Sequence, residues 1–195
     1  MKVAFDSRPG GSAHRTAQYS RCLLQALRDT AGERDEILET HRPRRAEVFH
    51  APWIEGAMLH SPCPMVVTVD DVCALTRRSE RLRCGGVHLH LRHLALQRAA
   101  HVIVPSEDVA GEAVAALGLD RERVFVIPQV SDPTVAPTSG DPLIAGCQPA
   151  PAAWTWHDVG RATWRVYAEA LARPERPCVS GLSRRLAVRT PRAPS

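Results

Sequence analysis

The feature that most constrains this fold is an alternation of short apolar runs with longer amphipathic segments. Residues 65–69 form the strongest run, and their β-branched side chains are typical of a strand buried on both faces. Apolar side chains also recur at helical spacing in several longer segments. The predicted strands centre on residues 3–5, 37–38, 48–49, 65–69, 101–104 and 124–127, and the predicted helices on 19–27, 87–100 and 107–117. Such alternation with short connections predicts an α/β, Rossmann-like domain over residues 1–130, a parallel sheet with helices on both sides.

Polar segments follow four of these strands. In a parallel sheet, ligands bind beyond the carboxyl ends of the strands. Gly10 and Gly11 follow the first strand, where their backbone can approach a phosphate or form a simple tight turn. Ser106 and Glu107 open a helix, so they fit either ligand contact or an N-cap with an acid that favours the helix dipole. The four candidate segments are residues 8–11, 50–53, 70–73 and 105–107.

The chain changes character after residue 130. Ten of the 16 prolines lie from Pro128 onward, and residues 131–153 show no periodicity, which predicts a linker. A last helix is predicted over residues 154–172, with Thr155 as N-cap. An isolated helix of this length is marginal in water, so we expect it to dock on the first domain. Residues 173–195 are predicted to be a disordered tail rich in arginine and proline.

The charge distribution argues against a nucleic-acid partner. The chain has 25 Lys+Arg against 21 Asp+Glu and a formal net charge of +4. Six arginines and one glutamate lie in residues 172–195, so the rest of the chain carries 19 basic against 20 acidic residues. A nucleic-acid-binding domain would concentrate positive charge on its folded surface.

Cysteine usage and hydropathy predict the compartment. The six cysteines are scattered without paired spacing, which favours reduced thiols over a disulfide framework. The N-terminal apolar run is too short for a signal peptide, and no run approaches about 18 apolar residues. We therefore expect a cytoplasmic protein without a membrane span.

Three histidines in the predicted helix near residue 90 invite a metal interpretation. His90 and His93 share a helical face, but His88 and His90 point about 200° apart. No cysteine or carboxylate has the spacing that would complete a ligand set. We expect exposed helix histidines and no metal site.

Several stretches, taken in order, resemble the retaining glycosyltransferases of family 4. The opening MKVAFDSRPGG and RTAQYSRCLLQAL are similar to that family's first strand, glycine loop and first helix. The stretches HAP, MVVTVDDVCAL and RAAHVIVPSE are similar to its next strand ends, and LGLDRERVFVIPQVSDP to the strand before its interdomain linker. WTWHDVGRATWRVYAEAL resembles the C-terminal helix that crosses back onto the N-terminal domain.

The resemblance implies a molecule with two facing Rossmann-like domains, the GT-B architecture, but this chain is too short for both. About twenty residues stand where a second domain of ~100–200 residues would lie. In the family that domain binds the nucleotide-sugar. The resemblance therefore implies an acceptor-side half whose donor-binding half is largely deleted.

The resemblance also supplies the candidate site. It implies catalytic positions at Asp70 and Asp71, where the family usually has His-Asp. An aspartate is an anion at pH 7, so it repels a diphosphate that an imidazole would help to bind. The pair therefore has an adapted electrostatic or base role, or caps the turn of a disabled site. The implied acceptor- or phosphate-binding residues are Gly10, Gly11, Arg15, His50, Ser106 and Glu107.

Two functions follow from these expectations. The first is glycosyl transfer with retention from a nucleotide-sugar to an acceptor hydroxyl, in a truncated form that is inactive on its own. The alternative is a non-catalytic acceptor- or nucleotide-binding module that acts with a separate donor-binding domain. In both, the partners are a nucleotide-sugar and a sugar or lipid acceptor; the nucleotide-sugar is a substrate, and no cofactor is expected.

Overall fold

The computed structural model describes residues 1–8, 14–72, 86–130 and 154–172. The predictions for Gly10, Gly11, the linker 131–153 and the tail 173–195 lie outside these residues. Arg15 lies in the first helix, but its side chain is also outside the described part.

The described residues form six strands and four α-helices. The strands are β1 (Lys2–Phe5), β2 (Glu36–Glu39), β3 (Val48–Ala51), β4 (Met65–Thr68), β5 (His101–Val104) and β6 (Val124–Val126). The helices are α1 (His14–Asp29), α2 (Gly86–Arg98), α3 (Glu107–Leu117) and α4 (Trp156–Ala172), and two 3₁₀ turns span Ile54–Gly56 and Arg121–Arg123.

All six strands are parallel and form one sheet in the order β2-β1-β3-β4-β5-β6. This confirms the predicted α/β, Rossmann-like architecture. The chain runs from β1 outward to β2, then crosses back past β1 to β3. The strand order therefore reverses between β1 and β3, which is where parallel α/β sheets open a crevice for ligands.

The central strands β1, β3, β4 and β5 are buried on both faces, as the continuous apolar runs of β4 and β5 predicted. Side chains that alternate along the strands divide into two cores. One core joins Phe49, Val67 and Val102 to helices α2 and α3, and the other joins Phe5, Val66 and Ile103 to helices α1 and α4. The connections β2–β3 and β3–β4 contain no α-helix, and their apolar residues pack against the first of these cores.

Helix α4 begins with the predicted cap. The Asp158 amide donates to the Thr155 hydroxyl at 3.3 Å, and the Asp158 carboxylate accepts from the Thr155 amide at 2.9 Å. This reciprocal pair is a capping box in which aspartate takes the usual place of glutamate. It confirms Thr155 as the N-cap.

The predicted docking of this helix is also confirmed. Helix α4 packs on α1, and the Trp164 indole donates a 3.1 Å hydrogen bond to the Leu27 carbonyl. The two backbones are in close contact at Gly160, where an added Cβ would lie 2.6 Å from the carbonyl oxygen of Ala26. Only a residue without a side chain fits this crossing.

Among the described residues, no helix combines the length and the apolar character that crossing a membrane requires.

Candidate functional site

The polar residues that follow the strands lie together along one side of the sheet, which we call the carboxyl edge. Parallel strands bring their carboxyl ends to the same side, so residues distant in sequence become neighbours there. Its described members are Asp6, Arg8, Trp53, Asp70, Asp71, Ser106, Glu107 and Gln129.

A buried carboxylate lies where the strand order reverses. The Asp6 side chain is fully buried and accepts two hydrogen bonds of 2.8 Å from the Arg8 guanidinium. The Trp53 indole, which follows β3, donates to the same carboxylate at 3.2 Å. Burial alone would raise the pKa of Asp6, but the hydrogen bonds from Arg8 and Trp53 outweigh it and hold the pKa below its ordinary value. This carboxylate is an anion that orients Arg8 at the crevice.

The 3₁₀ turn after Trp53 closes tightly over this group. A Cβ added at Gly56 would lie 2.5 Å from the Trp53 indole nitrogen and 2.8 Å from an Asp6 carboxylate oxygen. The turn therefore requires glycine at this position, and the cluster of Asp6, Arg8 and Trp53 is closely packed.

The two candidate catalytic aspartates follow β4. Asp70 is half-buried and accepts a hydrogen bond from the side-chain amide of Gln129, which follows β6. Asp71 is exposed. This hydrogen bond connects the residue after β4 with the segment after β6 at the carboxyl edge. The catalytic role of both aspartates stays a prediction.

Ser106 and Glu107 occupy the start of α3. The Ser106 hydroxyl accepts from the Val109 amide at 3.3 Å, so this residue is the helix N-cap. Glu107 is exposed and forms a 2.9 Å ion pair with Arg121. The capping interpretation is confirmed, while ligand contact by either residue stays a prediction.

His50 lies inside the protein rather than on the crevice surface. Its ring is fully buried; Nδ1 lies 2.6 Å from the Tyr167 hydroxyl of α4, and Nε2 lies 3.0 Å from the Thr68 hydroxyl of β4. Burial lowers the pKa of His50 to about 3. The neutral ring offers one donor and one acceptor, which the two hydroxyls match. His50 thus connects α4 to the sheet through hydrogen bonds. A contact between His50 and the acceptor stays a prediction.

This buried polar chain continues towards the carboxyl edge. The Tyr19 hydroxyl of α1 lies near the Thr68 side chain and close enough to Asp70 for the carboxylate to disfavour the phenolate. Burial and, to a smaller extent, that negative charge raise the pKa of Tyr19. Tyr19 therefore lies beside the threonine that contacts His50 and near the aspartate that follows β4.

The predicted phosphate-binding glycines and the Arg15 side chain cannot be placed in this site, because they lie outside the described residues. In the part of the chain that is described, no group of three His, Cys, Asp or Glu side chains is placed to hold a metal ion. His93 instead contacts the Gln97 side chain at 3.3 Å.

Sequence reasoning missed Asp6, Tyr19 and Tyr167 as polar members of this region. Asp6 directly ends the first apolar run, and a carboxylate at a predicted strand end was the available signal. Tyr19 and Tyr167 lie on the apolar faces of α1 and α4. Their hydroxyl groups were the signal, because a buried tyrosine normally requires a hydrogen-bond partner.

The chain has no match among models of known protein families, and no characterised protein shows significant sequence similarity to it.

Proposed function

We propose that this chain is the acceptor-side half of a retaining glycosyltransferase similar to those of family 4, and that it does not transfer sugar on its own. The ordered resemblance of its strand ends supports this proposal. So does the docking of α4 on α1, because a C-terminal helix that crosses back onto the first domain is what the resemblance implies.

The observation that carries the proposal is the acidic character of the carboxyl edge. Among the described residues, its carboxylates outnumber its cations, and the guanidinium groups of Arg8 and Arg121 are each paired with one of these carboxylates, Asp6 and Glu107. Carboxylates accept hydrogen bonds from sugar hydroxyls and repel a diphosphate. The described edge therefore suits an acceptor rich in hydroxyl groups better than it suits a nucleotide-sugar.

In the complete cleft, Asp70 and Asp71 would orient the acceptor hydroxyl. Asp70 is well placed for this, because the Gln129 amide fixes its carboxylate from the side. Neutralising the diphosphate leaving group would fall to basic side chains of a separate donor-binding domain. Glycosyl transfer requires both domains, because together they position the reactants and exclude water.

The same pairing of Arg8 and Arg121 favours a second function, a saccharide-binding module that takes no part in transfer. A saccharide-binding module and an acceptor-side half of a glycosyltransferase would bind the same class of acceptor. They differ in one outcome: adding a donor-binding domain restores sugar transfer only in the second case. For either function we propose a cytoplasmic location, which accords with the fact that Cys22 and Cys63 form no disulfide in the described part of the chain.

The proposal is tested by mapping saccharide binding with amide NMR. Methyl glycosides of glucose, mannose, galactose and N-acetylglucosamine are titrated separately, and UDP-, GDP- and ADP-sugars in parallel. At least one glycoside is expected to shift the amides of Trp53, Asp70, Asp71 and Gln129, and the D70N/D71N variant is expected to weaken that binding. Absence of shifts at the carboxyl edge with every glycoside, or tighter binding of a nucleotide-sugar there, would overturn the proposal.

A further inference from the structure

A polar groove is lined by none of the residues that form the carboxyl edge. It is an open groove of about 740 Å³ between the β2–β3 connection and the segment that leads into β4. These are the two crossovers that contain no α-helix. The groove is lined by His41, Arg42, Pro43, Arg44, Met58, His60, Ser61 and Pro62.

Among the described residues that line the groove, every ionisable side chain is basic and none is acidic. These side chains are His41, Arg42, Arg44 and His60, and all four are exposed. Within the described part of the chain, none of these four side chains forms an ion pair. They differ in this from Arg8 and Arg121 at the carboxyl edge, whose charges are already neutralised by carboxylates.

The turn that carries the two arginines is held by its own hydrogen bonds. The Thr40 hydroxyl accepts from the Arg42 amide at 3.1 Å, and the Arg42 carbonyl accepts from the Arg44 amide at 2.9 Å. Pro43, between them, is buried. The backbone therefore presents both guanidinium groups from a fixed position, which lowers the entropic cost of binding a ligand.

We propose that this groove binds a small organic molecule that carries a phosphate or diphosphate group. Guanidinium groups bind phosphate through paired hydrogen bonds, and each imidazole adds an N–H donor. The groove has the size of a small-molecule site and exceeds what a phosphate group alone would fill. Met58 and Pro62 provide apolar surface for the organic part. This inference is independent of the function proposed for the carboxyl edge.

The test uses inorganic phosphate, pyrophosphate and phenyl phosphate as probes, in buffer of physiological ionic strength. Each is titrated into the full-length chain and followed by amide NMR and calorimetry. We expect shifts confined to residues 41–44 and 58–62. We also expect phenyl phosphate to bind more tightly than inorganic phosphate, because its ring can contact the apolar wall.

Two double variants separate this groove from general electrostatic attraction. R42Q/R44Q removes both arginines of the groove and should weaken binding at least about tenfold, since each removes charge-assisted hydrogen bonds. R98Q/R165Q removes the same charge from exposed helix arginines outside the lining and should leave affinity within about twofold of the parent. Both variants change exposed side chains, and unchanged circular dichroism would verify folding. No shift at the groove with any probe, or equal weakening in the two variants, would overturn the proposal.

Discussion

Acidification should destabilise this protein through one buried imidazole, that of His50. The ring is fully buried, and its two nitrogens contact the hydroxyls of Tyr167 and Thr68. Burial disfavours the charged form and lowers the pKa of the ring from 6.5 to about 3. The unfolded chain therefore binds a proton at His50 at mildly acidic pH, and the folded chain does not.

The magnitude follows from proton linkage. Because the folded pKa lies below the unfolded one, the contribution is fully present above pH 6.5 and is lost as the pH falls from about 6.5 towards 3. Each pH unit within that window costs about 1.4 kcal/mol. Between pH 8 and pH 5, His50 alone should lower the free energy of unfolding by about 2 kcal/mol. For a chain of this size that corresponds to a fall of roughly 4–8 °C in Tm.

The assay is urea unfolding at pH 8 and pH 5 for the parent, for His50→Gln and for the control His90→Gln, which removes an exposed histidine. The His50→Gln variant should lose about 2 kcal/mol less than the parent over this pH change, whereas the control should lose as much as the parent. Equal losses in all three proteins would refute the reasoning, as would an NMR titration in which the His50 ring protonates near pH 6.5.

Four further substitutions test the packing and the buried hydrogen bonds. Gly160→Ala places a methyl group against the α1 backbone and should cost about 1–3 kcal/mol, whereas Gly111→Ala, at an exposed position of α3 with open space around it, should gain about 0.5–1 kcal/mol; thermal unfolding compares them. Tyr167→Phe leaves a buried nitrogen of His50 without its hydroxyl and should cost about 1–3 kcal/mol in urea unfolding; no loss would contradict the hydrogen bond. Asp6→Asn weakens the contact with the neighbouring guanidinium and should cost about 1–3 kcal/mol by the same assay, which an unchanged midpoint would contradict.

The fold class was predictable because its signals are local. The β-branched residues of β4 and the apolar run of β5 identify buried strands without knowledge of their neighbours. Ser106 and Thr155 likewise identify helix starts, because a capping hydroxyl acts within its own first turn. Strand order is different, since nothing within β1 or β3 specifies that the two lie side by side.

The site was only partly predictable for the same reason. Its strand-end residues, including Asp70, could be located because parallel strands share one carboxyl edge. The contact between His50 and Tyr167 joins residues 117 positions apart and depends on how α4 crosses the sheet. The basic groove depends on two connections that lack helices, and the sequence around Arg42 and Arg44 does not indicate which loop lies opposite.

The proposal that this chain supplies only one side of the transfer site is tested most directly by measuring sugar transfer with the chain alone. Purified protein is incubated with UDP-, GDP- and ADP-sugars and a mixture of methyl glycosides, and chromatography follows the nucleoside diphosphate and the glycosylated product. The rate at which the nucleoside diphosphate is released should not exceed the rate measured without protein, because one domain cannot position both substrates. Release that Asp70→Asn abolishes would contradict the proposal, since the chain alone would then hold a complete transfer site.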